Sequence, residues 1–273
     1  MRELQAQIIE EMGVRPDIDP VDEARRRVEF LKNYLRATGT SGYVLGISGG
    51  LDSTLAGKLA QLAVNELRAE GTAADFVALR LPYGVQADEE DAQAALDFIG
   101  PGICWTINVK PGVERIAEEF AAATGEAIGD FNKGNVKARA RMIAQYAVAG
   151  QRNLLVLGTD HGAESVTGFF TKFGDGGADI LPLFGLDKGQ IRSVLKQLGA
   201  ETRLYDKVPT ADLLDGKPGR TDEDELGFTY ANIDAYLEGR AVDDDVAAMI
   251  EKRWRNSRHK RTVPVTIRDT WWR

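Results

Sequence analysis

Four short apolar runs, at residues 43–47, 75–81, 103–109 and 153–157, each have the length of one buried strand. Between them lie stretches with a helical period. Val28, Leu31 and Leu35 make one apolar stripe, and Leu55, Leu59, Leu62, Ala63 and Leu67 make another. Residues 88–99, 113–123 and 137–149 also read as helices. Strand–helix alternation of this kind predicts an α/β fold, a doubly wound parallel sheet with helices on both faces. Such sheets bind ligands at the carboxyl ends of their strands, near the point where the strand order reverses.

Composition narrows the possibilities. The chain has 273 residues, within the reach of one large α/β domain, so a single domain over 1–273 is expected. Hydrophobic residues make up 43% and charged residues 28%, which excludes wholesale disorder. Lys and Arg number 34 against 42 Asp and Glu, and the net charge of −8 argues against a nucleic-acid partner. Cys104 is the single cysteine, so neither an intrachain disulfide nor a cysteine-rich zinc site can form. The first residues mix charged and apolar types without a signal-peptide core, and no apolar run approaches the ~20 residues that span a bilayer. A cytoplasmic protein with no membrane partner is expected.

The sharpest motif is Gly46-Ile47-Ser48-Gly49-Gly50-Leu51-Asp52-Ser53-Thr54, which follows a predicted strand and opens a predicted helix. Its glycines let the backbone approach a ligand, and free N–H groups at the helix start cradle phosphate oxygens. Ser48, Ser53 and Thr54 add hydroxyls. Asp52 is the anomaly, because a carboxylate beside phosphate makes chemical sense when a cation lies between them. It reads as a magnesium ligand, or else as a helix-start acid favoured by the macrodipole. The loop is not a Walker sequence, since Gly57-Lys58 is followed by Leu59, and it is not the dinucleotide fingerprint. Ser-Gly-Gly-Leu-Asp-Ser instead resembles the signature of the pyrophosphatase-loop enzymes. That resemblance implies cleavage of ATP between its α- and β-phosphates, adenylation of a substrate oxygen and an adenine nucleotide alpha hydrolase-like, Rossmann-like fold.

Further motifs select among these enzymes. They are Arg80-Leu81-Pro82-Tyr83-Gly84-Val85-Gln86-Ala87-Asp88, Gly158-Thr159-Asp160-His161 with Glu164, the stretch from Thr167 to Asp179 containing Phe169-Phe170-Thr171-Lys172 and Gly174-Asp175-Gly176-Gly177, and Pro209-Thr210-Ala211-Asp212. Together they resemble the ammonia-dependent NAD synthetases over nearly the whole chain, with departures at Gly162 and at Leu186-Asp187-Lys188. The resemblance implies that deamido-NAD, ATP and ammonia give NAD, AMP and pyrophosphate. It implies ATP contacts at Gly46, Ile47, Ser48, Gly49, Gly50, Leu51, Asp52, Ser53, Arg80, Gln86, Thr159, Lys188 and Thr210. Magnesium would be held by Asp52 and Glu164. Deamido-NAD would meet Arg139, Lys172, Asp179, His259 and Lys260, and Asp175 would take a proton from bound ammonium. A homodimer is implied, with the deamido-NAD site near the subunit interface.

Each residue also has a plainer reading when taken without its motif. Glu164 can be a solvated helix-start acid, Lys188 a surface lysine, Thr159 and Thr210 loop hydroxyls, Arg139 part of an exposed basic face, and Asp175 a turn former. Phe169 and Phe170 either stack on a ring or fill core. Neither His161 nor His259 suggests a metal cluster from spacing, and His161 reads as ordering its loop. Residues 82–87 and 205–225 read as mobile loops, either plain surface turns or lids. Glutamine-using relatives carry an additional amidase domain with a cysteine nucleophile, whereas Cys104 falls in a predicted strand, so ammonia is the expected donor. Two other readings stay open: another pyrophosphatase-loop amidase, such as a GMP synthetase ATP domain or a tRNA-modifying enzyme, and a non-catalytic ATP-binding regulator.

Overall fold

The structure, a computed structural model, describes residues 2–84, 89–207 and 221–272. Helices α1 (Glu3–Met12) and α2 (Pro20–Thr38) precede β1 (Gly42–Gly46). There follow α3 (Leu51–Ala69), β2 (Asp75–Arg80), α4 (Glu89–Ile99), β3 (Ile103–Thr106), α5 (Lys110–Thr124), α6 (Asp130–Arg152) and β4 (Leu155–Val156). The remainder is helical: α7 (Gly162–Thr167), α8 (Lys188–Gln197), α9 (Thr202–Tyr205), α10 (Asp222–Leu226), α11 (Tyr230–Leu237), α12 (Asp244–Asn256) and α13 (Arg258–Arg261).

The sheet has the order β3-β2-β1-β4 and every pairing is parallel. The chain winds outward from β1 through β2 to β3, then returns to the other side of β1 as β4. The strand order therefore reverses between β1 and β4, which is where a ligand crevice belongs. Side chains alternate along β1 as a strand requires. Tyr43 and Leu45 enter the core with α2, α3 and α8, while Val44 joins Val77, Leu79, Val156 and the inner residues of α6 on the opposite face. Both faces are buried, which explains the unbroken apolar runs. A separate core is formed by α1, α7, α11 and α12 around Ile8, Met12, Val166, Ile233, Tyr236, Ile250 and Trp254.

The α/β expectation is borne out, with local differences. The run 153–157 yields only the two residues of β4, because Asn153 takes a left-handed turn (φ 53°) that ends α6. Leu157 continues the sheet as a single parallel bridge to Ile180. The acidic stretch read as loop contains helix α10, whose start is capped by the Thr221 hydroxyl accepting from Asp224 N at 3.2 Å. The acids of its first turn favour a helix start, which a scan for apolar period overlooks. Cys104 lies on β3 as read, but exposed, because β3 is an edge strand. The loops expected at 82–87 and 205–225 fall largely on 85–88 and 208–220, outside the described residues. Among the described residues no helix is long and apolar enough to cross a membrane.

Candidate active site

The loop between β1 and α3 sits at the sheet's reversal point. Gly50 caps α3 without a side-chain hydrogen bond, which leaves the helix start available to an anion. Ser48 Oγ lies 3.0 Å from Ser53 Oγ and accepts from Gly50 N at 3.2 Å, closing the loop on itself. Gly49 has φ +82°, and a Cβ there would stand 2.6 Å from Ala92 N of α4, so only glycine fits. Gly46 N donates to Gln145 Oε1 at 2.8 Å, and the buried Arg80 donates to Ile47 O at 3.2 Å and pairs with Glu89 at 2.5 Å. The structure thus brings Arg80 against the loop, and adds Gln145 from α6.

The end of β4 supplies the opposing wall. Gly158 and Thr159 leave the strand, and His161 precedes α7, whose first turn carries Glu164. Lys188, the first residue of α8, reaches into this space and is 1% exposed, so it is not a surface lysine. Its Nζ lies 2.8 Å from Asp52 Oδ2, 3.2 Å from His161 Nε2 and 3.6 Å from Glu164 Oε1. His161 Nε2 lies 3.4 Å from Asp52 Oδ1 and 3.5 Å from Glu164 Oε1. Burial disfavours the Asp52 carboxylate, but the charges of Lys188 and His161 outweigh it and hold this group well below the usual range. Burial likewise opposes a charged His161, yet Glu164 and Asp52 keep it above its ordinary value. The result is a compact cluster of two acids and two cations.

The donor set suits magnesium. Asp52 Oδ1 is buried without a hydrogen-bond partner, and Asp52, His161 and Glu164 offer atoms within 4.8 Å of one another. Two carboxylates are what this hard cation takes from a protein when substrate phosphates complete its shell. The imidazole nitrogen is the softer donor and suits other metals better.

A second group of candidate residues lies around α7. Lys260 Nζ donates to Gly168 O at 2.9 Å and Phe170 O at 2.8 Å, Lys172 Nζ to His259 O at 2.5 Å, and Arg139 Nη2 to Lys172 O at 3.2 Å. Arg139, Lys172, His259 and Lys260 are thereby linked into one basic patch. Asp179 is engaged elsewhere: its carboxylate accepts from Val156 N at 2.8 Å and from Tyr146 Oη at 3.1 Å, tying β4 to α6. Asp175 accepts from Thr171 N at 2.9 Å. Desolvation by the surrounding protein raises the pKa of this carboxyl, against that hydrogen bond. Phe169 packs on the C-terminal core, while Phe170 lies 5.5 Å beneath Lys260. Gln86 and Thr210 lie outside the described residues.

Comparison with known proteins shows the family. The sequence profile of the NAD synthase family matches residues 23–264. The chain belongs to the NAD synthase family. It is 61% identical over 270 residues to the NH(3)-dependent NAD(+) synthetase of Bacillus licheniformis, with 99% of each chain covered. The solved NAD+ synthetase from Burkholderia pseudomallei is 49% identical, with a TM-score of 0.83 over 97% of this chain and 99% of that one. The NMN synthetase from Francisella tularensis is 36% identical, with a TM-score of 0.79 over 93% of this chain and 100% of the other.

Within this NAD synthase fold one sequence reading needs correcting. His161 does not merely order its loop; it stands inside the acid cluster, at contact with Asp52, Glu164 and Lys188. Its position at the N-cap of the helix that carries Glu164 was the available signal. Tyr230 was missed altogether, and its ring lies 4.7 Å from Lys188 Nζ. The departure at Gly162 also has a physical setting. Gly162 N donates to Leu186 O at 2.7 Å, and a Cβ would fall 2.9 Å from that oxygen and 2.6 Å from Val14.

Proposed function

We propose that this chain amidates deamido-NAD with ammonia at the expense of ATP, releasing NAD, AMP and pyrophosphate. The observation that carries the reading is the meeting, at the sheet's reversal point, of an open helix start with Asp52, Glu164 and Lys188. A carboxylate is a poor electrophile for ammonia, so its oxygen must first become part of a good leaving group. The deamido-NAD carboxylate oxygen attacks the α-phosphorus of ATP, the bond to the bridging oxygen breaks, and pyrophosphate departs. Ammonia then adds to the acyl carbon, a proton is lost, and the acyl–oxygen bond breaks to free AMP.

The backbone from Gly46 to Ser53 holds the phosphates, with Lys188 and Thr159 beside them and Arg80 fixing the loop from below. Asp52 and Glu164 would hold a magnesium ion, whose charge offsets that gathered at the α-phosphate. Arg139, Lys172, His259 and Lys260 form the anion-facing patch for deamido-NAD, and the Asp179 carboxylate borders it only through β4. Asp175, with its raised pKa, takes the proton that ammonium must lose before attack. Gln86 and Thr210 complete the ATP contacts in this reading.

The working assembly is a homodimer. Helix α5 buries only Val113 of its residues, and β3, α5 and α6 expose Trp105, Ile116, Phe120, Phe131 and Ile143. Exposed apolar side chains of this size support an interface between chains.

The test is to incubate the protein with ATP, magnesium and deamido-NAD, adding ammonium, glutamine free of ammonia, or neither. NAD and AMP in equal amounts with ammonium alone is the expected result. Turnover with glutamine would overturn the assignment of donor. Replacing deamido-NAD by its mononucleotide counterpart separates this reading from the activity named for the Francisella tularensis relative.

A further inference from the structure

Lys188 is held from two directions by a helix that the reaction scheme does not use. On α11, Asp234 accepts from Lys188 N at 3.1 Å and Gly189 N at 2.9 Å, fixing the start of α8. One turn earlier on the same face stands Tyr230, 2% exposed, with its ring centroid 4.7 Å from Lys188 Nζ. α10 holds this residue twice, once by its phenol and once by its backbone. Tyr230 Oη donates to Asp222 Oδ2 at 3.0 Å, and Tyr230 N donates to Glu223 Oε1 at 2.8 Å.

We infer that Tyr230 is a positioning residue for the ATP-side lysine, seating the Lys188 ammonium by cation–π attraction so that its head stays aimed at the phosphates. An ammonium has three N–H donors. In this structure Asp52 accepts from the head at 2.8 Å, while the ring of His161, itself a cation, stands 3.2 Å away and takes no N–H from it. An aromatic face attracts the remaining charge without consuming a donor, so an N–H stays available for a phosphate oxygen. A third carboxylate at that place would compete with ATP, and an aliphatic side chain would leave the cation unsupported in a buried site. The Asp222 carboxylate, by accepting from the phenol, adds electron density to the ring and strengthens its negative face.

This inference rests on Lys188 being an ATP contact, and the experiment separates the two. In the full-length enzyme, pyrophosphate release is followed against ATP for Lys188→Met, Tyr230→Phe, Tyr230→Leu, trifluorophenylalanine in place of Tyr230, and the double variant Lys188→Met with Tyr230→Leu. Thermal melting of each reports the fold. Tyr230→Phe keeps the ring and should lose only about 3-fold in kcat/KM for ATP, whereas the fluorinated ring, of nearly the same shape, should lose roughly 10-fold or more. The double variant should be no worse than Lys188→Met alone, because the ring acts through the lysine. A fluorinated variant equal to Tyr230→Phe, or additive losses in the double variant, would overturn the role of Tyr230 while leaving Lys188 in the ATP site. Unchanged kinetics in Lys188→Met would remove Lys188 from that site and the inference with it. Should Tyr230→Leu fail to fold, the pair of Phe and trifluorophenylalanine variants decides the matter.

Discussion

Asp52 gathers strong opposing forces. Its carboxylate sits in a loop shaped for anions, has one buried oxygen without a hydrogen bond, and leans on Lys188 at 2.8 Å. Asp52→Asn keeps the shape and removes the charge. Its fold should survive, its magnesium requirement should rise, and adenylation should slow by ~10²-fold or more if the lost charge behaves as in other preorganised sites. Glu164→Gln should behave alike. The two losses should not add in the double variant, because both act through one ion. Pyrophosphate release measured against magnesium concentration decides this, and wild-type magnesium dependence in either folded single variant removes that residue from the metal site. The role proposed for Asp52 could be read from the sequence because an acid inside a phosphate loop is chemically anomalous. That of Lys188 was carried only by motif resemblance. No local pattern announces that a lysine opening α8 will be drawn into the interior by acids from α3 and α7.

The first turn of α8 shows how an element can carry a pH dependence. Asp187 caps the helix, accepting from Gln190 N at 2.7 Å, and stands near Asp234, which accepts from the next two N–H groups. Burial, and then the charge of Asp234, push the Asp187 carboxyl up from 3.8 to about 7. The folded protein therefore keeps a proton that the unfolded chain releases, so this group subtracts stability as the pH rises from about 4 to about 7. Asp187→Asn keeps an acceptor for the cap and abolishes the titration. Urea midpoints of the variant and wild type should diverge in the variant's favour across that interval, and parallel curves would contradict the assignment. Helices and strands such as α2, α3, β1 and β2 were readable because one apolar period served both local structure and core. Helix α10 and the brief β4 were not. A short acidic helix has no stripe to read, and the left-handed turn at Asn153 consumes residues that look like strand.

At the scale of the whole molecule, the sheet brings two loops together at β1 and β4, and the helical C-terminal core presses α7 and α11 against them. Strand β3 and helices α5 and α6 leave large apolar side chains exposed. Sedimentation should give twice the chain mass of 29.8 kDa, and Phe120→Glu combined with Ile143→Glu should give single chains. A wild-type monomer would leave that apolar face without its proposed partner. The reversal point was foreseeable from strand–helix alternation, but the apolar face was not, because exposed and buried sides of α5 and α6 carry similar residues. The central claim is that the substrate carboxylate is adenylated before ammonia attacks, and oxygen labelling reads this directly. Deamido-NAD bearing heavy oxygen in its nicotinate carboxylate is turned over with ATP, magnesium and ammonium, and the products are weighed by mass spectrometry. The account predicts a single labelled oxygen in AMP and none in pyrophosphate; unlabelled AMP, or label in pyrophosphate, would contradict it.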